Sequence, residues 1–365
     1  MEESANENSA CRRYLPHGLF HALFCTEGHC CVFYDTTSLF EDKDFVFANI
    51  ECAITESENA IKKCGPNLKA PIATAEMLKE LGVTLCGLSN NHVFDFGKEG
   101  AIDTINAIKA AGLDYTGFGD NYEDSRKNYV FEKNGERICI ITVCEHEFSY
   151  ALDDRMGSRP YDEYDTMEDI RAAKSQYDRV LVMYHGGKEH ALYPSPRLRK
   201  ACRAMAKNGA DVVLCQHTHC IGTYEEFEGC HILYGQGNFH FAKPHNLETW
   251  YTLLAVEYDT VSHKINFVPI RSGEYSISLA NGEDKEEIMS ALAQRSAKLH
   301  NGEWTDEWHE ICVRETERFI GALRNAYKED STERQNHVFA HYLDCESHTD
   351  VWRELCPTWN QTNEK

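Results

Sequence analysis

Residues 83–92, Val83-Thr84-Leu85-Cys86-Gly87-Leu88-Ser89-Asn90-Asn91-His92, join a short apolar run to a group of polar side chains. A run of this length between helical patterns is typical of a buried strand in a mainly parallel sheet. Sheets of this kind bind ligands just outside the carboxyl ends of their strands. The stretch therefore predicts a strand that delivers Asn91 and His92, with Asp95 close behind, to one rim of a sheet.

Three other apolar runs end in polar side chains in the same way. Glu51 follows residues 45–50, His185 and two glycines follow residues 180–184, and His217 and His219 follow residues 211–215. Each has an ordinary structural interpretation alone, since a His-x-His pair often lies on a surface strand and Asn-Asn-His often forms a turn or helix N-cap. Imidazole, carboxylate and amide ligands suit zinc, manganese or iron, and a pair of such ions can activate a bridging water. In this order, the four strand ends predict a metal-dependent hydrolytic site.

Apolar runs alternate with helical periodicity from about residue 44 to residue 241, the pattern expected of βα units stacked into an α/β domain. Further strands are predicted over 137–144 and 231–234, and helices over 73–81, 100–111, 167–176 and 196–207. Asn134-Gly135 predicts a hairpin between 129–132 and 137–144, and strands over 251–258 and 264–269 complete the sheet. After about residue 273 the pattern is helical and strongly charged, with helices predicted over 285–300 and 307–327.

The composition is that of an ordinary globular protein with a strong acidic bias. The 365 residues are 42% hydrophobic, and 37 basic against 59 acidic residues give a formal net charge of -22. This charge repels polyphosphate backbones, so nucleic acid is not an expected partner. An anionic small molecule or polymer can still bind where a divalent ion concentrates positive charge at one point.

Cysteine and hydropathy patterns favour a cytoplasmic protein without a membrane span. The 16 cysteines fall mostly inside apolar runs such as 137–144, which predicts buried thiols rather than a disulfide framework. No apolar run approaches the ~18 residues of a transmembrane helix. Pro16, His17 and His21 interrupt residues 12–25, which disfavours a signal peptide, with export as the alternative.

Five sequence blocks follow one another along the chain: Asn49-Ile50-Glu51, Ser89-Asn90-Asn91-His92-x-x-Asp95-x-Gly97, His185-Gly186-Gly187, Gln216-His217-Thr218-His219 and Gly235-Gln236-Gly237-Asn238-Phe239. They resemble the successive blocks of the CapA family, the bacterial poly-γ-glutamate capsule synthesis proteins of the calcineurin-like metallophosphatase superfamily. The resemblance covers roughly residues 44–241. It implies a four-layer α/β/β/α metallophosphatase-like sandwich over 44–272, with a divergent N-terminal segment over 1–43 and a helical C-terminal extension over 273–365.

The resemblance also implies roles for the residues at the strand ends. The ligands of one or two divalent ions, manganese, iron or zinc, would be Glu51, Asn91, His185, His217 and His219. His92 would act as general acid and stabilise the oxyanion, and Asp95 would fix its orientation. A structural hydrogen bond that closes the turn is the alternative for His92, and a plain loop position is the alternative for Asp95. Asn238 is expected to be structural.

The sequence does not decide whether several neighbouring residues reach the site, or which residue supplies one expected ligand. The spacing does not decide whether Glu145, His146 and Glu147, or Glu189 and His190, reach the site. Family members begin with an apolar strand that ends in Gly-Asp, and this chain has no Gly-Asp before Asn49. The stand-in is Asp35, after a strand predicted over 30–34. Without that ligand, one metal position loses charge, and the site holds a single ion or none.

Two functions follow from these patterns. The first is a metal-dependent hydrolase of the phosphoesterase type, or one acting on a related amide bond, linked to poly-γ-glutamate and capsule exopolymer synthesis. Its partners would be an anionic substrate and exopolymer-synthesis proteins. The second is a binding or assembly component that keeps the fold without turnover, which the missing Gly-Asp favours.

Overall fold

A six-stranded, mainly parallel sheet carries two of the strands that lead to the predicted site. The computed structural model of the chain describes residues 34–240, 246–272 and 277–356. In spatial order the strands are β12 (Tyr224–Phe227), β13 (Cys230–Leu233), β11 (Val212–Gln216), β10 (Arg179–His185), β8 (Glu136–Cys144) and β7 (Tyr129–Lys133). The inner four are parallel, and β12 and β7 are antiparallel edge strands. Asn134 and Gly135 at the β7–β8 turn have φ values of 54° and 81°, so the predicted hairpin is confirmed.

Two three-stranded sheets form a second β-layer. One is parallel, in the order β1 (Phe47–Asn49), β4 (Leu85–Gly87) and β5 (Asp114–Thr116), and the other is an antiparallel meander of β14 (Thr252–Asp259), β15 (Lys264–Ser272) and β16 (Ile277–Leu279). Short pairs join β2 (Ala53–Ile54) to β3 (Lys69–Ala70) and β6 (Phe118–Gly119) to β9 (Gly157–Ser158). The meander continues past residue 272, where the sequence predicts the helical extension to begin.

Helices cover the outer faces of both β-layers and make up most of the C-terminal region. They are α1 (Thr74–Glu80), α2 (Gly97–Ala110), α3 (Tyr122–Ser125), α4 (Glu163–Lys174), α5 (Pro196–Lys207), α6 (Gly282–Asn301), α7 (Trp304–Ala326), α8 (Glu333–Asp344) and α9 (Glu346–Leu355), with 3₁₀ helices at Tyr34–Leu39 and Glu248–Tyr251. Local sequence fixes several helix starts. Ser195 caps α5 ahead of Pro196, and Thr332 forms a capping box with Gln335 at α8.

Side chains alternate between two cores, which gives the layer order α/β/β/α. In β10, Val180 packs with residues of α4 and α5, whereas Leu181 faces the second β-layer. In β4, Cys86 packs with residues of α2, whereas Leu85 joins the core between the layers. Strands buried on both faces show this pattern. The predicted four-layer fold class is therefore confirmed.

Helix positions differ from the predicted ones mainly at their ends. The helix predicted from residue 167 begins at Glu163, because the Asp162 side chain accepts the backbone N–H groups of Tyr164 and Asp165. The two long C-terminal helices, α6 and α7, each begin three residues before the predicted ranges and end within one residue of them. The shorter α8 and α9 are absent from the prediction, which places no individual helix after residue 327.

The C-terminal helices are docked onto the α/β layers by an apolar cluster and by buried ionic contacts. The cluster consists of Ala191, Trp308, Cys312, Phe319, Ala322, Tyr342 and Val351. Beside it, the Arg197 guanidinium lies 2.6 Å from Glu145 and 2.9 Å from Asp350 of α9. Because breaking a buried ion pair leaves an uncompensated charge, these contacts fix α9 against the end of β8 and the start of α5.

Cysteine burial follows the sequence pattern. Every cysteine within the described residues is a free thiol, and all but Cys64 and Cys356 are buried, so the prediction of buried thiols is confirmed for that part of the chain. Among the described helices, none combines the length and the hydropathy that a bilayer span needs.

Phe319→Ala is expected to lower the free energy of unfolding by about 3–5 kcal/mol, because the ring is fully buried against Tyr342, Trp352 and His348. Val313→Ala on the same helix is the matched control, since half of that side chain is exposed, and it should change the value by about 0.5 kcal/mol or less. Urea unfolding of the full-length chain, followed by circular dichroism, measures both. Equal effects would mean that the Phe319 ring of α7 does not pack against α8 and α9.

Candidate metal centre

Parallel pairing aligns the strand ends of the six-stranded sheet. His185, the last residue of β10, is in register with Gln216 of β11 and Cys144 of β8. The chain therefore leaves all three strands at one level, and His217 and His219 follow directly after β11. Both have positive φ values, 78° and 55°, in a region that is unfavourable for most residues other than glycine and that often marks functional positions.

The facing layer brings its strand ends to the same rim. His185 Nε2 lies 3.1 Å from Oδ1 of Asn91, which follows β4, and 3.6 Å from Oε1 of Glu51, which follows β1. His219 Nε2 lies 3.8 Å from the same Glu51 oxygen, and the ring centroids of His185 and His217 are 4.9 Å apart. The five residues predicted as ligands thus lie together, although they come from four separate segments. We call them the candidate metal centre.

The donor atoms of the candidate metal centre fit a divalent cation. One ligand atom from each of Glu51, His217 and His219 lies within 4.8 Å of the others, a spacing compatible with a shared ion at bonds of about 2.0–2.2 Å. Glu51 Oε1 and His217 Nδ1 are buried and have no hydrogen-bond partner among the described residues. Such an atom costs about 1–3 kcal/mol when left unpaired, and a cation bound to Glu51 would offset that cost.

Burial sets the protonation of most of the candidate metal centre. Burial raises the pKa of Glu51 to about 8, against the opposing charge of His217. Burial also lowers the pKa of His219 to about 4 and the pKa of His185 well below its usual range. Both imidazoles are therefore neutral at pH 7, the form in which histidine binds metals. Glu51 is protonated at pH 7, and a metal would displace that proton.

His217 is the exception among these histidines. Burial alone would lower its pKa, but neighbouring carboxylates, first Glu147 and then Glu189, outweigh burial and raise the pKa of His217. Burial would likewise raise the pKa of Glu147, but His217 and His341 outweigh it and lower this pKa to about 2. His217 therefore lies in the field of neighbouring carboxylates, and the same field would favour a divalent cation.

His92 is held by a carboxylate and a buried lysine. Asp95 Oδ2 lies 2.7 Å from His92 Nδ1 and accepts the backbone N–H of Leu68 at 2.6 Å. Lys63, whose side chain is almost fully buried, forms an ion pair with the other Asp95 oxygen and lies 3.1 Å from His92 Nδ1. Burial and the Lys63 charge lower the pKa of His92. The geometry gives Asp95 the orienting contact that the sequence predicts, and it adds Lys63.

The two adjacent asparagines of the turn after β4 have different contacts. Asn90 Oδ1 accepts the backbone N–H groups of His92 and Val93, both at 3.0 Å, so this side chain closes the turn. Asn91 Oδ1 faces His185, and Asn91 Nδ2 donates to Glu147 Oε2 at 2.6 Å. The turn interpretation of the motif therefore applies to Asn90, while Asn91 lies in the candidate metal centre.

Glu147 and Glu189, whose positions the spacing leaves open, both lie beside the candidate metal centre. Glu147 Oε1 is 3.6 Å from His217 Nε2. Burial alone would raise the pKa of Glu189, but the charges of Lys188 and His217 outweigh it and lower the value. By contrast, Glu145 belongs to the ionic contacts that dock α9.

The loop after β13 orients His219. Asn238 Oδ1 lies 2.9 Å from His219 Nδ1, and Asn238 Nδ2 donates to the Trp250 carbonyl at 3.1 Å. Gly237 has a φ of 85°, and a Cβ atom there would lie 2.1 Å from the Thr252 carbonyl oxygen, so only glycine fits. Asn238 therefore supports the ring of His219 and leaves its Nε2 directed at Glu51.

Asp35 does not take the place of the missing Gly-Asp aspartate. It is exposed in the first 3₁₀ helix, and its carboxylate accepts the backbone N–H of Leu279 in β16 at 2.8 Å. The strand predicted over 30–34 lies outside the described residues except for its last position, which is already helical. Asp35 therefore contacts the meander rather than the candidate metal centre.

Two histidines of the C-terminal helices approach this rim without any signal in the sequence. His341 Nε2 of α8 lies 3.5 Å from Glu147 Oε1, and the His348 ring of α9 has its centroid 4.7 Å from that of His341. No motif connects these residues to the strand ends. Lys63 is likewise not predicted, because it lies in an irregular segment between β2 and β3 that carries no motif.

The four layers and the buried imidazole and carboxylate rim define a metallophosphatase-like α/β protein. A family model described as bacterial capsule synthesis protein PGA_cap matches residues 12–243. The chain belongs to this family. The match ends before α6, so α6 to α9 lie outside it.

Two Bacillus proteins and one solved structure are similar to part of this chain. The capsule biosynthesis protein CapA of Bacillus anthracis is 32% identical over 220 residues, which cover 58% of this chain and 53% of the relative. The PGA biosynthesis protein CapA of Bacillus subtilis (strain 168) is 30% identical over 216 residues, 58% of this chain and 56% of that protein. The chain thus spans about half the length of these relatives. The 5′-nucleotidase precursor of Thermus thermophilus is similar over 63% of this chain and 46% of its own, with 16% identity and a TM-score of 0.34.

Lys63→Met is expected to raise the pKa of His92, because it removes a neighbouring positive charge while the Asp95 carboxylate stays in contact. Proton–nitrogen correlation NMR of the histidine rings, titrated in metal-free protein, measures this value. The exposed neighbour Lys62 gives the control variant Lys62→Met, in which the pKa of His92 should not move. A pKa of His92 that stays constant or falls in Lys63→Met would show that Lys63 does not act on this ring.

Proposed function

We propose that the chain is a metal-dependent hydrolase, of the phosphoesterase type or acting on a related amide bond, that serves poly-γ-glutamate or capsule exopolymer synthesis. The observation that carries this proposal is the convergence of His185 and His219 on the Glu51 carboxylate at one rim. Two neutral imidazoles and a carboxylate oxygen without a partner among the described residues form a donor set that suits a divalent ion. His92, whose ring contacts the Asp95 carboxylate, lies next to this set of donors.

The candidate metal centre offers ligands for one or two ions of manganese, iron or zinc. Glu51, His217 and His219 form one group of ligand atoms, and Asn91 with His185 extends it on the adjoining side. A divalent ion held by these residues would supply Lewis-acid chemistry, activating water and polarising a phosphoryl or carbonyl oxygen. The protein holds the ligands in place through neighbouring contacts, such as Asn238 on His219.

His92 is placed to transfer a proton beside the candidate metal centre. Its Nδ1 contacts Asp95, so Nε2 is the nitrogen that a substrate can reach. An anionic group next to the ring raises the pKa of His92, because negative charge favours the imidazolium form. His92 then stabilises a developing oxyanion and donates its proton to the leaving group. Asp95 and Lys63 keep the ring oriented for this step.

The proposed substrate is an anionic small molecule or polymer, with exopolymer-synthesis proteins as partners. The two Bacillus relatives are named for capsule and PGA biosynthesis, which supports a glutamate polymer or an anionic precursor. A chain with a net charge of -22 repels such molecules, so binding would depend on positive charge concentrated at the site. The buried free thiols support a reducing compartment such as the cytoplasm.

His92→Ala is expected to lower kcat by about 100-fold to 10,000-fold, the usual contribution of general acid catalysis, without changing the metal content. The assay is hydrolysis of an aryl phosphate and of a poly-γ-glutamate oligomer by the full-length chain, reloaded separately with Mn²⁺, Fe²⁺ and Zn²⁺. His300→Ala replaces an exposed histidine of α6 and should keep wild-type rates.

Each outcome of this assay separates the possible functions. Stoichiometric metal without turnover of either substrate contradicts a hydrolase and leaves a metal-binding assembly component. Absence of both metal and turnover contradicts the candidate metal centre itself. Undiminished turnover in His92→Ala retains the hydrolase and rejects His92 as its acid.

A further inference from the structure

The C-terminal helices bring a second group of buried metal-binding side chains next to the candidate metal centre. One ligand atom from each of Glu147, His341 and His348 lies within 4.8 Å of the others. Glu147 follows β8, His341 lies on α8 and His348 on α9. Each side chain exposes less than a tenth of its surface. Both histidines come from helices outside residues 12–243, the part that the family model matches.

We propose that Glu147, His341 and His348 bind an additional divalent cation, with Glu147 as a carboxylate shared with the candidate metal centre. We call these three residues the accessory site. The inference goes beyond the proposed function, because neither a hydrolase nor an assembly component requires an ion at this position.

The geometry of Glu147 supports a shared role. Its Oε2 accepts the Asn91 amide at 2.6 Å, whereas its Oε1 lies 3.6 Å from His217 Nε2 on one side and 3.5 Å from His341 Nε2 on the other. A direct N–H···O hydrogen bond would shorten these gaps to about 2.7–3.2 Å. Atoms that bind a common ion without touching each other keep separations of this longer kind.

The accessory site also contains a polar atom that its protein neighbours leave unsatisfied. His348 Nδ1 is buried and has no hydrogen-bond partner within the described residues. Buried imidazole nitrogens normally find a partner, since leaving one unpaired costs about 1–3 kcal/mol. A cation at the accessory site would give the His348 ring a ligand role, which accounts for burying a histidine here.

Packing holds both histidines in fixed orientations, as a metal site needs. The Tyr342 ring stacks on His348 with a centroid distance of 4.4 Å, and the Phe148 ring lies 4.7 Å from His341. At the start of α9, the Glu346 carboxylate accepts the backbone N–H of His146 at 2.8 Å. The accessory site is therefore built on docked helices rather than on surface side chains.

Ligand type favours zinc at the accessory site. The positive charge of Lys188 and the negative charges of Glu147 and Glu189 act on the His348 ring, and the Lys188 ammonium lies 3.8 Å from Glu315. Cys345 Sγ lies 3.3 Å from Glu147 Oε1, so a sulfur donor stands beside one carboxylate and two imidazoles, all of which are ligands that zinc accepts.

The accessory site is tested by counting metal in full-length protein that has been stripped, reloaded with Zn²⁺ and desalted. His341→Gln/His348→Gln is expected to retain about one zinc ion fewer per chain than the wild type, because both imidazole ligands are gone. His337→Gln replaces an exposed histidine of α8 and should bind as much zinc as the wild type. His185→Gln/His219→Gln should lose zinc from the candidate metal centre and keep the accessory ion. The zinc content of the two double variants therefore reports on the two sites independently.

Anomalous diffraction at the zinc edge, from crystals of the unmodified protein, locates the ions without any substitution. A peak between Glu147, His341 and His348 supports the accessory site, and this measurement decides the question if the double variant does not fold. Wild-type zinc content in His341→Gln/His348→Gln, or peaks at the candidate metal centre alone, would overturn the proposal. The histidines would then serve only to hold Glu147 in place.

Discussion

In-register parallel pairing of β8, β10 and β11 sets the positions of His185, of His217 and His219, and of Glu147 at the site. The pairing ends the three strands at one level, so Cys144, His185 and Gln216 lie side by side, and the residues after them enter the same space. A shift of one residue would turn each side chain to the opposite face of the sheet. The burial that stabilises the two cores therefore also fixes the geometry of the candidate metal centre.

The rim that these strands reach brings several titratable side chains together in a buried environment. Burial keeps His185 and His219 neutral and raises the pKa of Glu51 to about 8, while the carboxylates of Glu147 and Glu189 raise the pKa of His217. Glu147 connects this rim to His341 on α8. Helices outside the family match can thus act on the centre through one carboxylate, which makes the C-terminal region part of the site's electrostatics.

Local signals account for what the sequence predicts, and tertiary packing accounts for the rest. Strand periodicity and the Asn134-Gly135 turn depend on neighbouring residues, so they predict the sheets, and the strand-end rule of α/β sheets then predicts the convergence of the ligand residues. The sequence does not predict Lys63 and His341 as part of the site, because their contacts depend on how an irregular segment and a polar helix pack against the rest of the fold. Asp35, the possible stand-in for the missing Gly-Asp aspartate, contacts the backbone of Leu279 from a 3₁₀ helix rather than the candidate metal centre.

Calorimetric titration of metal-stripped protein with Zn²⁺ at pH 7, in two buffers of different ionisation enthalpy, tests the account most directly. It predicts binding with net proton release, because Glu51, with a pKa of about 8, must give up its proton to become a ligand. In Glu51→Gln, the release should fall by about one proton per chain. Absence of zinc binding, or equal proton release in the two proteins, would contradict a buried centre built to hold a cation.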